Sequence, residues 1–232
     1  PYIIVPRGVL TKKAQNNQSK WKKSIANALL FKDYAKKALA IQFLTKNEAK
    51  DSGKGWNKSS FILPNGFSTP NTTKQTFSSD GINATFIGRL DKFHKGIDVL
   101  IQACAELSKE LRNTNFKLRI YGPKNRDYEL IQTMIHEHKL DDMISLEGET
   151  SGKAKEKVIL ESDLFVLTSR FEGHPMGLVE ALAYGVPAIV TPGTNMSEEI
   201  AKADAGWVCD EASKEAIKIQ LQNILKERSL FA

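Results

Sequence analysis

From about residue 80 onward, short apolar runs alternate with longer stretches whose apolar residues recur every third or fourth position. Residues 84–87, 116–121, 144–146, 164–168 and 188–191 are apolar runs of strand length. Between them lie helical patterns. Residues 97–111 place Ile97, Leu100, Ile101, Cys104, Leu107 and Leu111 on one face, and residues 128–139 turn Leu130, Ile131, Met134 and Ile135 inward. A short helix is expected over 155–161, and another opens near Gly177, with Gly185 as its cap and Pro187 as its stop. A final helix runs from Ser213 as N-cap to about Leu230, with Ile217, Leu221, Ile224 and Leu225 on one side. Strands alternating with helices predict an α/β fold built on a parallel, doubly wound sheet.

The earlier part reads differently. Residues 2–5 suggest a buried strand closed by Pro6-Arg7-Gly8, and residues 20–40 one or two helices with Trp21, Ile25, Leu29 and Leu39 as core contacts. Short strands are expected at 41–44 and 61–63, the second running into Pro64-Asn65-Gly66. The polar, turn-rich Ser68-Thr69-Pro70-Asn71-Thr72-Thr73 reads as a linker, with a domain boundary between about residues 66 and 80. This divides the chain into residues 1–78 and 79–232. Pro1 enters directly into a strand, so the chain reads as a fragment. The strand and helix of the first part lack most of a sheet to pack on, and exposed apolar faces there are expected to invite self-association.

Charge adds little. The net value of +6 arises from 33 Lys and Arg against 27 Asp and Glu, spread along the chain. The densest group, Lys20, Lys22, Lys23, Lys32, Lys36 and Lys37, reads most simply as a solvated helix face. Its other reading is peripheral contact with an anionic membrane surface or a polyanion. No nucleic-acid motif accompanies it. Cys104 and Cys209 read as reduced packing residues, which suits the cytoplasm, and no apolar run of about 18 residues could span a membrane.

The candidate chemistry lies where strands end, because ligands of such sheets sit outside the carboxyl ends of the strands. After residues 164–168 comes Ser169-Arg170-Phe171-Glu172-Gly173-His174-Pro175-Met176-Gly177-Leu178-Val179-Glu180. A turn feeding a helix leaves its first amide groups without intrahelical acceptors, and their dipole end suits a phosphate. Carboxylates accept several hydrogen bonds and suit neighbouring hydroxyls. Eight residues of regular helix rise roughly 12 Å, against about 5–5.5 Å between the carboxyls of retaining glycosidases. Glu172 and Glu180 therefore fit two grips along one elongated ligand better than a hydrolytic pair. Their plain alternative is a solvated helix residue and a dipole partner.

A second cluster, Gly88-Arg89-Leu90-Asp91-Lys92-Phe93-His94-Lys95-Gly96, follows residues 84–87. Arg89 offers a fork of donors and Lys95 a compact charge at a helix start. Alone these would be solvated cations. With the glutamate turn, two cations and one helix N-terminus would meet at one diphosphate.

Gly88-Arg89, Lys95-Gly96, a strand ending in Gly122, and Glu172 with Glu180 resemble the nucleotide-binding half of GT-B glycosyltransferases. The large retaining family called group 1, or family 4, is the most similar. Pro64-Asn65-Gly66 and Glu180-Ala181-Leu182-Ala183-Tyr184-Gly185-Val186-Pro187 resemble it too, so the likeness covers about residues 61–208. It implies a Rossmann-like C-terminal domain with a partial N-terminal domain. It also implies a nucleoside diphosphate sugar as donor, a glycan or lipid-linked acceptor, retained anomeric configuration, and no metal or other cofactor.

Residue by residue, it implies that Arg89 and Lys95 bind the diphosphate and stabilise the leaving charge. The amides of Met176, Gly177 and Leu178 would hold the distal phosphate. Glu172, with Gly173 and His174 beside it, would face the donor sugar, Glu180 the ribose, and the loop at Gly148 and Glu149 the nucleobase. Gly88 would let the backbone approach. Arg89, Lys95 and Glu172 form the expected catalytic set. His174-Pro175 departs from the Phe-Gly of many relatives. Without a complete acceptor-side domain, the chain is expected to bind donor weakly and to transfer little sugar. Two rivals stay open: a non-hydrolysing nucleotide-sugar epimerase, and a non-catalytic module binding nucleotide or phosphate.

Overall fold

The computed structural model describes residues 1–16, 20–53 and 55–227, and they fall into two compact units. The first comprises Pro1–Gly66 with Phe171–Pro175, and the second Phe67–Arg170 with Met176–Ala232.

In the first unit, strands β1 (Ile3–Ile4), β2 (Ala40–Phe43) and β3 (Ser60–Ile62) form a parallel three-stranded sheet in that order. Helices α1 (Lys12–Asn16), α2 (Lys20–Ala26) and α3 (Lys32–Lys37) lie between β1 and β2, with a π-type turn at Asn27–Phe31 joining α2 to α3. Helix α4 (Lys46–Ser52), absent from the sequence reading, follows β2. Its start is built by Thr45, whose hydroxyl accepts from the Glu48 amide at 3.0 Å. The buried Glu48 carboxylate accepts from the amides of Leu44, at 2.7 Å, and of Gly8, fastening α4 to the loop after β1.

Two expectations fail in this unit. The opening strand is shorter than 2–5 and is not buried, since Ile3 and Val5 are exposed. Trp21, Ile25, Leu29 and Leu39 are not core contacts either, for all four are more than half exposed. The core is instead Ala35, Ile41, Phe43 and Trp56. Periodicity identified an apolar face, and its exposure matches the expectation that the strand and helix of this part leave apolar surface uncovered.

The second unit contains β4 (Ile82–Ile87), α5 (Ile97–Glu106), α6 (Ser108–Asn113), β5 (Phe116–Tyr121), α7 (Tyr128–Glu137), β6 (Ile144–Gly148) and α8 (Gly152–Leu160). It continues with β7 (Leu164–Leu167), α9 (Met176–Ala183), β8 (Ala188–Val190), α10 (Ser197–Ala203), β9 (Gly206–Val208) and α11 (Lys214–Lys226). The six strands are all parallel, in the order β6-β5-β4-β7-β8-β9. The chain thus builds outward from β4 in one direction, returns, and builds outward from β7 in the other. The doubly wound α/β reading holds.

Most elements fall where the apolar pattern put them. The 97–111 helix is interrupted at Leu107, and Leu130 is exposed while Ile131 and Ile135 are buried. Helix α10 and strand β9 were not anticipated. The Ser213 hydroxyl accepts from the Ala216 amide at 3.2 Å, and helix α11 ends at Lys226; Leu230, its expected end, lies outside the described residues. Gly185, at φ +81°, ends α9 as expected. Its amide reaches the Leu182 carbonyl, and that of Val186 reaches Ala181.

Both cysteines are free and buried, and burial pushes each thiol up to about 12, which removes them as nucleophiles. Glu106 at the end of α5 pairs with Lys214 at 2.6 Å and Lys218 at 2.7 Å on α11, and those hydrogen bonds hold its carboxyl near 2.

Asp163 is almost fully buried at the entry to β7. It accepts from the amides of Ser78 at 3.0 Å and Asn83 at 2.9 Å, and pairs with the equally enclosed Lys74 at 3.2 Å. Burial alone would raise its carboxyl, but the Asn83 and Ser78 hydrogen bonds and the Lys74 charge outweigh it and hold the group below its ordinary 3.8. Its contribution is therefore full above that value and is lost as pH falls through the folded one. Asp163→Asn is expected to cost about 3 kcal/mol of unfolding free energy by denaturant titration at neutral pH, because it strands Lys74. The same variant should lose stability less steeply than the parent on acidification below pH 3.8.

Candidate functional site

Strand order reverses between β4 and β7, which pair through Ala84–Leu164 and Thr85–Phe165. In a doubly wound sheet the connections leaving two such strands diverge and open a crevice over their carboxyl ends. The 88–96 loop leaves β4 there, and residues 168–170 leave β7 beside it. The two segments are laced together. The Thr168 hydroxyl donates to the carbonyls of Gly96 at 3.1 Å and Lys95 at 3.3 Å, and the Arg170 amide donates to the His94 carbonyl at 2.9 Å. Gly96 sits at φ +64°, and a Cβ on it would lie 2.0 Å from the Thr168 carbonyl oxygen. Only glycine permits both this backbone and this approach.

The loop presents its cations at this edge. Arg89 is exposed, and its Nη2 donates to His94 Nδ1 at 3.2 Å. A guanidinium only donates, so that ring nitrogen is the acceptor. Lys95 is half-buried, and its Cε lies 3.8 Å from where a Gly88 Cβ would stand. Helix α9 begins on the same edge. A Cβ on Gly177 would be 3.1 Å from the Ile87 carbonyl oxygen, so the amide-bearing first turn of Met176, Gly177 and Leu178 rests on the end of β4.

A cleft of about 230 Å³ continues across the ends of β4, β5 and β6, lined by Ile87, Gly88, Tyr121, Gly122, Glu149 and Ser151. The Gly122 amide donates to the Gly148 carbonyl at 2.7 Å, tying its floor together. A larger cleft of about 680 Å³ opens at the amino ends of the strands, beside Asn83, Lys117 and Ser145. Its cations are already engaged, Lys117 with the Asp142 carbonyl and Arg119 with Glu161. The carboxyl edge is the better candidate.

Gly88, Arg89, Lys95, Gly148, Met176, Gly177 and Leu178 are thus gathered at the carboxyl edge of the second unit. Glu180 lies one turn into α9, four-fifths buried, and is ion-paired with Lys155 of α8. Glu172, Gly173 and His174 group with the first unit, where Gly173 packs against the Arg7 and Gly8 backbone. Sequence reasoning missed Lys155, which no local pattern marks. It also passed over Arg170 and Asp98, whose side chains pair at 2.7 and 3.0 Å. Among the described residues, no group of three or more His, Cys, Asp or Glu is placed to hold a metal ion, and no helix is long and apolar enough to cross a membrane.

The sequence profile of the family described as glycosyl transferases group 1 matches residues 69–231, most of the chain and all of the site's second-unit residues. The chain belongs to this family. It is 27% identical over 177 residues to the mannosylfructose-phosphate synthase of Agrobacterium fabrum, covering 73% of this chain and 38% of that protein. It is 31% identical over 125 residues to the amylovoran biosynthesis glycosyltransferase AmsD of Erwinia amylovora, covering 54% and 34%. The chain therefore spans about a third of the length of the curated relatives it matches.

Solved structures of GT-B glycosyltransferases share the fold. Sucrose-phosphate synthase from Thermosynechococcus elongatus superposes with a TM-score of 0.80 at 17% identity, over 98% of this chain and 59% of that one. Anabaena HepE in complex with UDP and glucose superposes with a TM-score of 0.77 at 15% identity, over 99% and 63%.

Gly96 offers a check on how this group 1 family member builds its site. Gly96→Ala must hold a left-handed backbone, at about 1–2 kcal/mol, and must also displace the Thr168 carbonyl. A lowered thermal midpoint is expected by calorimetry. Gly55→Ala, where an added Cβ meets nothing within 4 Å, is expected to leave it unchanged.

Proposed function

We propose that this chain is the donor-binding part of a glycosyltransferase. In the whole protein it would move a sugar from a nucleoside diphosphate to a glycan or lipid-linked acceptor, with retention of anomeric configuration. The observation that carries this reading is the meeting of the Arg89–Lys95 loop and the first turn of α9 at the point where strand order reverses. A diphosphate there receives a guanidinium, an ammonium and backbone amides together. As the sugar–phosphate bond breaks, negative charge grows on the departing nucleoside diphosphate, and these same groups stabilise it. In this scheme no metal is required for that charge.

The remaining roles are those the family resemblance implies. The cleft beside Gly88, Gly122 and Glu149 suits the nucleoside. Glu180 accepts from the ribose hydroxyls, and Glu172 from the hydroxyls of the donor sugar. The amides of Met176, Gly177 and Leu178 take the distal phosphate. The likeness to a UDP-bound neighbour supports a nucleotide ligand as a class, while the sugar and the base stay open.

Two variants separate the two ends of this ligand. Lys95→Ala is expected to weaken nucleoside diphosphates by roughly 10–100-fold, the worth of a charge-assisted hydrogen bond, and to leave the bare nucleoside unchanged. Glu180→Ala is expected to weaken nucleoside and nucleoside diphosphate alike, by roughly tenfold. Calorimetric titration with uridine, guanosine and adenosine compounds and their sugar conjugates reads both. Equal affinity for inorganic phosphate and for every nucleotide-sugar would instead favour a non-catalytic phosphate-binding module.

A further inference from the structure

Arg170 is the residue of this region whose bonding the family reading does not use. It stands two residues after Thr168, with its side chain about four-fifths buried. Its guanidinium donates to both Asp98 oxygens, at 2.7 and 3.0 Å, and to the Phe93 carbonyl at 2.5 Å. It also lies over the Phe93 ring, 4.3 Å from the centroid. Through its own amide it holds the His94 carbonyl. One residue thus grips two consecutive carbonyls of the 88–96 loop, immediately before Lys95. It is anchored in turn by a carboxylate on the first turn of α5.

We propose that Arg170 and Asp98 are positioning residues, a latch across the two loops that fixes the direction in which Arg89 and Lys95 face a diphosphate. The inference rests on the donor-site reading above. Arg170 does not serve as a phosphate ligand itself, because Asp98 neutralises it and three of its five N–H donors already go to Asp98 and the Phe93 carbonyl. Asp98 is half of the latch, and it keeps the cation from turning toward the anion it would otherwise attract. Without the latch, the segment between Arg89 and Gly96 keeps its charges but loses their convergence, and preorganised charge is what makes such a site effective.

The test compares nucleoside and nucleoside diphosphate titrations for wild type, Arg170→Gln, Asp98→Asn and the double variant, each also placed in a Lys95→Ala background. Wild type must first prefer the diphosphate to the nucleoside. Failure there removes the donor-site reading before the latch is reached. With that preference in hand, each single variant is expected to weaken the diphosphate roughly tenfold and the nucleoside less than about twofold. The double variant should be no worse than either single one, and in the Lys95→Ala background the further loss should fall below about threefold.

Arg170→Lys, which keeps the charge but not the fork, should recover only part of the affinity. Unchanged diphosphate affinity in Arg170→Gln overturns the inference. So does a loss in Arg170→Gln with none in Asp98→Asn, which makes Arg170 a direct ligand. Equal losses for nucleoside and diphosphate together with a lowered thermal midpoint overturn it as well, since they describe a purely structural pair.

Discussion

The parallel pairing of β4 with β7 is the constraint on which the candidate site depends. These strands are neighbours in the sheet but are separated in the chain by two complete strand–helix excursions. Right-handed crossovers send the connections on the two sides of this pair away from each other, which opens a crevice at the carboxyl ends between them. A crevice there is a consequence of chain topology. What the sequence adds is what fills its rim: small residues at 96, 122 and 177, where Cβ atoms would press on backbone, and at 88, where one would press on the Phe86 ring, with cations at 89 and 95. Beneath it, Phe86, Val166 and Ile120 are fully enclosed and hold the strands in register.

The second unit was largely legible because burial on both faces of a parallel sheet produces uninterrupted apolar runs. Strand β5 was read to the residue. Strand β9 escaped because it has three residues, one of them Gly206, and no run to see. Helix α10 escaped because only Ile200 among its seven residues is buried, so it carries no periodic face. In the first unit the opposite error arose. Trp21, Ile25 and Leu29 recur at helical spacing, yet spacing states only that a face is apolar, not what lies against it. Helix α4 had a usable signal, a threonine followed three residues later by a glutamate, and it was overlooked.

The site divided along a similar line. Gly88, Arg89, Lys95 and the start of α9 could be located because each follows a recognisable strand, and the sheet itself brings strand ends together. The Arg170–Asp98 pair spans 72 positions, and Lys155 meets Glu180 across two different helices. Such contacts leave no periodic trace. They depend on where two loops or two helices settle, which a single chain read linearly does not contain. Candidate ligand-facing residues can thus be located at strand ends from motif chemistry, while the contacts that hold them in place become visible only in three dimensions.

Under the proposed donor-site reading, the Lys155–Glu180 pair bears on how one short helix would serve both an anion and a polyol. A carboxylate one turn from the N-terminus of α9 opposes the field that would attract a phosphate to that terminus. At an effective dielectric near 20, unit charges separated by roughly 6–8 Å interact by about 2–3 kcal/mol. An ammonium bound to the carboxylate cancels most of that repulsion at the proposed phosphate while leaving lone pairs able to accept from hydroxyls. Under the proposed donor-site reading, Lys155 thereby lets the two recognition tasks share eight residues of helix, with the phosphate at its mouth and the acceptor one turn inside.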